Sequence, residues 1–212
     1  PVLAGCGAQD LMATIAREPQ AVAAALEAVL SRHGAGVVQR LRRLTGGATK
    51  TTWSFDWVSD GVAQALILQQ TPATTGARGH VPKLSAAEDA AVMRVARAGG
   101  APAPVVRLVL DEADGLGQGY VTEAVAGETL GKKLVGDEAF AGARAVMASQ
   151  CGQILAAIHR LPLQELPFLQ TLSPADELAV YSELLGACGV RHPALSYARR
   201  WVQAHLPSDG RP

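Results

Sequence analysis

One stretch, Leu44-Thr45-Gly46-Gly47-Ala48-Thr49-Lys50-Thr51-Thr52-Trp53, holds the residue types suited to gripping an anion. Paired glycines let a backbone come close to a phosphate, and the hydroxyls and amides around them can donate to its oxygens. Trp53, Phe55 and Trp57 alternate directly after it, as in a strand. Together they read as a phosphate-covering hairpin, which implies a chain that handles a nucleotide; the bland alternative is an ordinary glycine turn.

Other chemistries fit worse. A P-loop needs glycine immediately before its lysine and a helix after it, whereas Thr49 precedes Lys50 and a strand follows. Gly115, Gly117 and Gly119 make no dinucleotide fingerprint, because Tyr120 stands where the third glycine belongs. The five histidines never approach HExxH spacing, and no serine lies in GxSxG.

The elements around this turn fall into two differently built halves. Pro19 suits a first helical turn, Val22, Leu26, Val29 and Leu30 recur at helical spacing, and Gly34 closes the segment, so residues 19–33 read as a helix. Residues 37–44, 51–58 and 64–71 are rich in β-branched and aromatic types and predict three antiparallel strands, with a hairpin turn at Ser59-Asp60-Gly61. Residues 73–82 read as a loop. Ser85 and Glu88 form a capping box for a helix that Gly99-Gly100 ends. Two more strands, 105–110 and 119–125, flank a glycine-rich turn. The expected fold class is therefore α+β, a five-stranded antiparallel sheet with one main helix. Beyond Gly127 helices take over, at 137–159, from Ser173 to about 188, and at 193–206. The implied organisation is a helical segment at 1–36, a β-rich lobe at 37–126 and a helical part at 127–212.

With 49% hydrophobic and 18% charged residues, the chain has material for a packed core and is not of the disordered class. Nineteen basic residues balance nineteen acidic ones, so no global field draws it to nucleic acid or to a membrane surface. Cys6, Cys151 and Cys188 are odd in number and far apart, which favours a reducing compartment, the cytoplasm, over a disulfide framework or zinc site. Apolar runs are too short to span a bilayer. Oligomeric state is not set by any of these features.

In this order, Leu44 to Ala48 with Thr52-Trp53, Leu66-Ile67-Leu68-Gln69-Gln70-Thr71-Pro72, Gly100-Ala101-Pro102-Ala103-Pro104-Val105, Gly119 to Gly127 and Leu155-Ala156-Ala157-Ile158-His159 resemble the aminoglycoside phosphotransferase and choline kinase-like group of the protein-kinase-like fold. The likeness is greatest to the phosphotransferase domain of acyl-CoA dehydrogenase fusion proteins, and covers most of residues 37–206. It implies transfer of the γ-phosphoryl group of ATP, with Mg, to a hydroxyl of a small molecule, catalysis resting on placement and charge neutralisation.

In that scheme Gly46, Gly47 and Ala48 cover the phosphates, while Thr49, Lys50 and Thr51 contribute donors. Such kinases carry a basic residue on the third strand that meets the phosphates and pairs with a helix carboxylate. Here that phrase is Leu68-Gln69-Gln70, and glutamine brings a donor without a charge. Gln69 is the positional equivalent and Lys50 the nearest substitute cation; the alternative is that both glutamines merely complete a strand. The carboxylate is Glu88 or Asp89. Glu88 has a capping task, so Asp89, on the face of Val92, Met93 and Ala96, is preferred, with a solvated helix-end charge as the alternative for both. Glu123 to Val125 match the connector where backbone groups read adenine, and Thr122 stands at the back of that pocket; the alternative is a plain buried strand.

The family's His-Gly-Asp catalytic loop, with its aspartate base and metal ligands, has no counterpart here. His159-Arg160 is followed by Leu161-Pro162, and the sequence stops at Asp209-Gly210-Arg211-Pro212 where the loop is expected to begin. The resemblance thus implies a chain without its catalytic aspartate and metal ligands, inactive alone, with apolar faces of residues 140–206 exposed. The alternative from another class is a non-catalytic nucleotide-binding or interaction module.

Overall fold

The computed structural model describes residues 18–45, 50–71, 84–170, 172–189 and 192–207. Two compact units result, one from residues 1–75 with 84–166 and one from 76–83 with 167–212.

The first unit is built on a five-stranded sheet in the order β1-β2-β3-β5-β4. Its strands are β1 (Val37–Leu44), β2 (Thr51–Ser59), β3 (Val62–Gln70), β4 (Val106–Val109) and β5 (Gly119–Glu123). All neighbouring pairs are antiparallel. The β2–β3 connection is tight because Asp60 and Gly61 both take positive φ, 50° and 75°, which matches the twist of a two-residue hairpin. In β1 the register slips by one residue between Gln39 and Arg42, and Arg40, at φ 52°, pairs with the buried Asp56 of β2.

Strand alternation gives the sheet two faces with different duties. Trp53 and Phe55 of β2, Leu66 and Leu68 of β3, and Val121 of β5 share one face and one buried cluster. Helix α1 (Pro19–Leu30) lies against it, burying Val22, Leu26, Val29 and Leu30 in the same cluster. Its Glu27 carboxylate accepts from the Val38 amide at 2.8 Å, tying the helix to the start of β1. A short 3-10 turn (Ser31–His33) follows, whose Arg32 lies 2.7 Å from the buried Asp114, a charge contact without hydrogen-bond alignment.

The opposite face carries Gln69 of β3 and Tyr120 and Thr122 of β5, and it receives α2 (Ala86–Ala98), whose Ala86 and Ala90 pack with Tyr120. Alanines at these places bring the helix backbone close to the sheet.

Beyond the sheet come α3 (Gly131–Gly136), which periodicity did not reveal because it is one short turn and a half, and α4 (Ala141–Ile158). No residue of α4 is buried, and Met147, Leu155 and Ile158 of its apolar stripe lie exposed. The second unit holds α5 (Pro174–Ala187) and α6 (Pro193–Ala204). Ser173 and Asp176 cap α5 reciprocally, and Trp201 stacks on His205 at 4.2 Å at the end of α6.

The fold class is as the sequence predicts, α+β with an antiparallel five-stranded sheet. Boundaries differ modestly: β5 ends at Glu123 rather than at 125, and α4 begins at Ala141 after a 3-10 turn (Glu138–Phe140). The predicted loop at 73–82 and the residues Asp209 to Pro212 lie outside the described residues.

Candidate functional site

On the α2 face, side chains from four elements converge at one end of the sheet. Lys50 stands just before β2, Gln69 near the end of β3, Tyr120 near the start of β5 and Asp89 in the first turn of α2. Antiparallel register makes this meeting possible: Thr52 pairs with Gln69, and Gln69 with Tyr120, so positions far apart in sequence fall on one line across three strands.

The Lys50 ammonium forms an ion pair with the Asp89 carboxylate and donates to the Tyr120 hydroxyl at 3.2 Å. The Tyr120 hydroxyl in turn donates to Gln69 Oε1. Lys50 also sits 5.2 Å from the centre of the Tyr120 ring, within cation–π range. Burial pulls the Lys50 pKa down, but the Asp89 carboxylate and the Tyr120 hydroxyl outweigh it and hold the ammonium above the ordinary lysine value. Lys50 itself therefore stays protonated at any physiological pH, and its charge is lost only as pH rises beyond that raised value.

The two adjacent acids of α2 have separate tasks. Glu88 closes the capping box, its Oε2 accepting from the Ser85 amide at 2.7 Å while its own amide donates to Ser85 Oγ at 3.2 Å. The Ser85 amide and hydroxyl hold the Glu88 carboxyl below the usual glutamate range. Asp89, one residue on, points to Lys50. Ser85→Ala is expected to destabilise the protein by about 1 kcal/mol and to raise the Glu88 pKa only in part, because the backbone amide that is the larger cause of its lowering remains; a carbon-detected NMR titration of Glu88 reads this directly.

The glutamines divide as well. Gln70 faces the other side of the sheet, accepting from Trp53 Nε1 at 2.9 Å and donating to the Leu116 carbonyl at 2.8 Å. Gln70 is thus committed to holding the β2 aromatic and the turn before β5, while Gln69 accepts from the Tyr120 hydroxyl that Lys50 also contacts.

Farther along β5 on the Tyr120 face, two residues or about 7 Å away, Thr122 is buried at 5% exposure. Glu123 follows, its amide donating to the Val105 carbonyl at 2.9 Å and its carboxylate pairing with Arg107. The Ala124 amide donates to the Ala65 carbonyl at 3.0 Å, whereas the Val125 amide takes no partner among the described residues and its side chain is 75% exposed.

The model of the phosphotransferase enzyme family (APH) matches residues 40–212. This chain belongs to that family. No curated protein matches closely enough to add a relative. The family match begins inside β1, so α1 and its apolar stripe precede the matched part while contributing to its core.

Among the residues that the phosphotransferase resemblance singled out, Lys50, Gln69 and Asp89 are brought together. Thr122 lies on the same face, and Glu123 and Val125 follow at the connector; Thr51 pairs with Gln70 in the ladder. Gly46, Gly47, Ala48 and Thr49 lie outside the described residues, in the connection from β1 to β2. Tyr120 is the member that sequence reasoning missed. Its one available signal is position: with β3 and β5 adjacent, the residue opposite Gln69 is Tyr120. Among the described residues no cluster of three or more His, Cys, Asp or Glu side chains is set to hold a metal ion.

Proposed function

We propose that this member of the phosphotransferase enzyme family is a small-molecule kinase of the aminoglycoside phosphotransferase type, using ATP and Mg to phosphorylate a substrate hydroxyl. The likeness to the domain found in acyl-CoA dehydrogenase fusions is part of the same proposal. One observation carries the reading: the sheet of this chain presents, just before β2, a lysine that is charged, part-buried and held by a helix carboxylate. Fixed positive charge in a part-desolvated place is what a polyphosphate needs.

In this reading Gly46, Gly47 and Ala48 cover the phosphates, and Thr49, Lys50 and Thr51 donate to them. Gln69 and Asp89 flank the cation, Thr122 backs the base pocket, and Glu123 to Val125 read adenine through backbone groups. Residues 37–126 form the nucleotide-covering lobe, 1–36 its helical support and 127–212 part of the second lobe. No position of this chain is assigned as catalytic base or metal ligand, and the 212 residues by themselves are proposed to bind nucleotide without turning substrate over. A cytoplasmic setting is favoured by the free Cys151 and Cys188; among the described residues no helix is long and apolar enough to cross a membrane.

Calorimetric titration with Mg-ATP is expected to give saturable binding, and a coupled assay with a panel of hydroxylated small molecules to give no turnover above background. Failure to bind any adenine nucleotide overturns the nucleotide reading; sustained turnover overturns the assignment of inactivity. Binding without turnover favours the second reading, a non-catalytic nucleotide-binding module, if the gene closes with a stop codon after residue 212; the uncharged Gln69 already supports it.

A further inference from the structure

The arrangement around Lys50 goes further than a substitute charge. An ammonium has three protons to donate. Asp89 takes one and the Tyr120 hydroxyl another, and the third has no partner among the described residues. Lys50 remains 28% exposed at its side chain, so the third proton has access to a ligand.

The tyrosine hydroxyl is oriented from both sides. Because Lys50 can only donate, the Tyr120 oxygen must accept from it, which sends the phenolic proton to Gln69 and requires the glutamine to present its carbonyl oxygen there. That fixes the side-chain amide of Gln69 as well: its NH₂ group is turned away from Tyr120 and has no partner among the described residues. A lysine at position 69 could not accept from Tyr120, so glutamine is chemically suited to this neighbour in a way the family's usual basic residue is not.

We propose that Tyr120 is a positioning residue for nucleotide binding: anchored by Gln69, it holds the Lys50 ammonium so that its third proton meets a phosphate oxygen of the bound nucleotide. The positive charge ordinarily offered from the third strand is offered from the start of the second, and the third-strand position acts through the tyrosine. This inference rests on the nucleotide-binding reading. It differs from a purely structural role for the cluster, in which Lys50 serves only to neutralise Asp89.

The test compares adenosine with a non-hydrolysable ATP analogue bearing an imido bridge between its β and γ phosphorus atoms, by calorimetry on the full chain. Lys50→Met is expected to weaken the analogue about ten-fold or more, the scale of a hydrogen bond to a charged group, and to leave adenosine affinity unchanged. Tyr120→Phe removes only the hydroxyl. It is expected to weaken the analogue about three- to ten-fold without changing adenosine, and to have no further effect in a Lys50→Met background, because it acts through the lysine. A general packing defect would weaken both ligands equally and would add to the lysine change.

Wild-type protein that binds neither ligand sinks the nucleotide reading itself. Where wild-type protein binds the analogue, a Lys50→Met variant that binds it no less tightly sinks this inference alone, as does a Tyr120→Phe effect that is equal for adenosine or additive with Lys50→Met. Should Lys50→Met lose adenosine through misfolding, the Tyr120→Phe comparison of the two ligands decides alone.

Discussion

Gly119→Ala is expected to destabilise the protein by about 1–3 kcal/mol, the range for forcing extra volume into a packed place, and to weaken an ATP analogue more than adenosine. A Cβ at position 119 would stand 2.5 Å from the Gln69 carbonyl oxygen and 3.3 Å from the Gln70 Cα. Both are backbone atoms of the neighbouring strand, which a rotamer change cannot move aside. Relief requires β3 and β5 to part where Gln69 pairs with Tyr120. Stability and the cation cluster are therefore struck by one methyl group. Urea denaturation reads the first effect and calorimetry the second. Gly127→Ala is the control: a Cβ there meets nothing within 4 Å, and its effect should stay within about 0.5 kcal/mol. Equal stability of the two variants would show that the strands have slack at this point.

Leu26→Ala is expected to have a larger effect still, about 2–5 kcal/mol, as for other fully buried leucines whose removal leaves a cavity. Leu26 is fully buried, with Val22, against the cluster that holds Phe55, Leu66, Leu68 and Val121. The family match starts at residue 40, fourteen residues later. A truncation that follows the matched boundary would strip the helix from this face and expose the cluster to water. Thermal and urea unfolding of Leu26→Ala, with Ala24→Ser on the exposed side of the same helix as a comparison, test the point. A loss below about 0.5 kcal/mol would mean that α1 is an appendage rather than part of the core.

Much of this architecture was legible from local pattern. Asp60-Gly61 predicts its hairpin because both residues tolerate positive φ, and Ser85 with Glu88 predicts the start of α2 because a capping box closes over three residues. The stripe Val22, Leu26, Val29 and Leu30 marks α1 and the face it buries. The limits of β5 and the short α3 were less legible. Strand ends are set by whether a partner continues alongside, and one short helix carries too few turns for a period to stand out.

Within the candidate site the boundary between the two kinds of information runs through single residues. Sequence singled out Lys50, Gln69 and Asp89, but the choice between Glu88 and Asp89 rested on Glu88 having another occupation. The structure gives that occupation its distances and shows Asp89 against Lys50, 39 positions away in the chain. Tyr120 could not have been selected by type or spacing, since 51 residues separate it from Gln69 and it looks like any strand aromatic.

From the sequence alone come the five strands, the helices α1 and α2 and the hairpin turn of the sheet unit, apart from the exact strand limits, and the resemblance to a phosphotransferase, because these depend on chemistry within a few residues or on phrases in a given order. Tertiary structure alone decided which carboxylate meets the lysine, which glutamine serves the cation and which the core, and that a tyrosine joins them. The reason is geometric: strand register and the seat of a helix on a sheet set distances between segments far apart in the chain, and hydrogen bonds and ion pairs form only where those distances close.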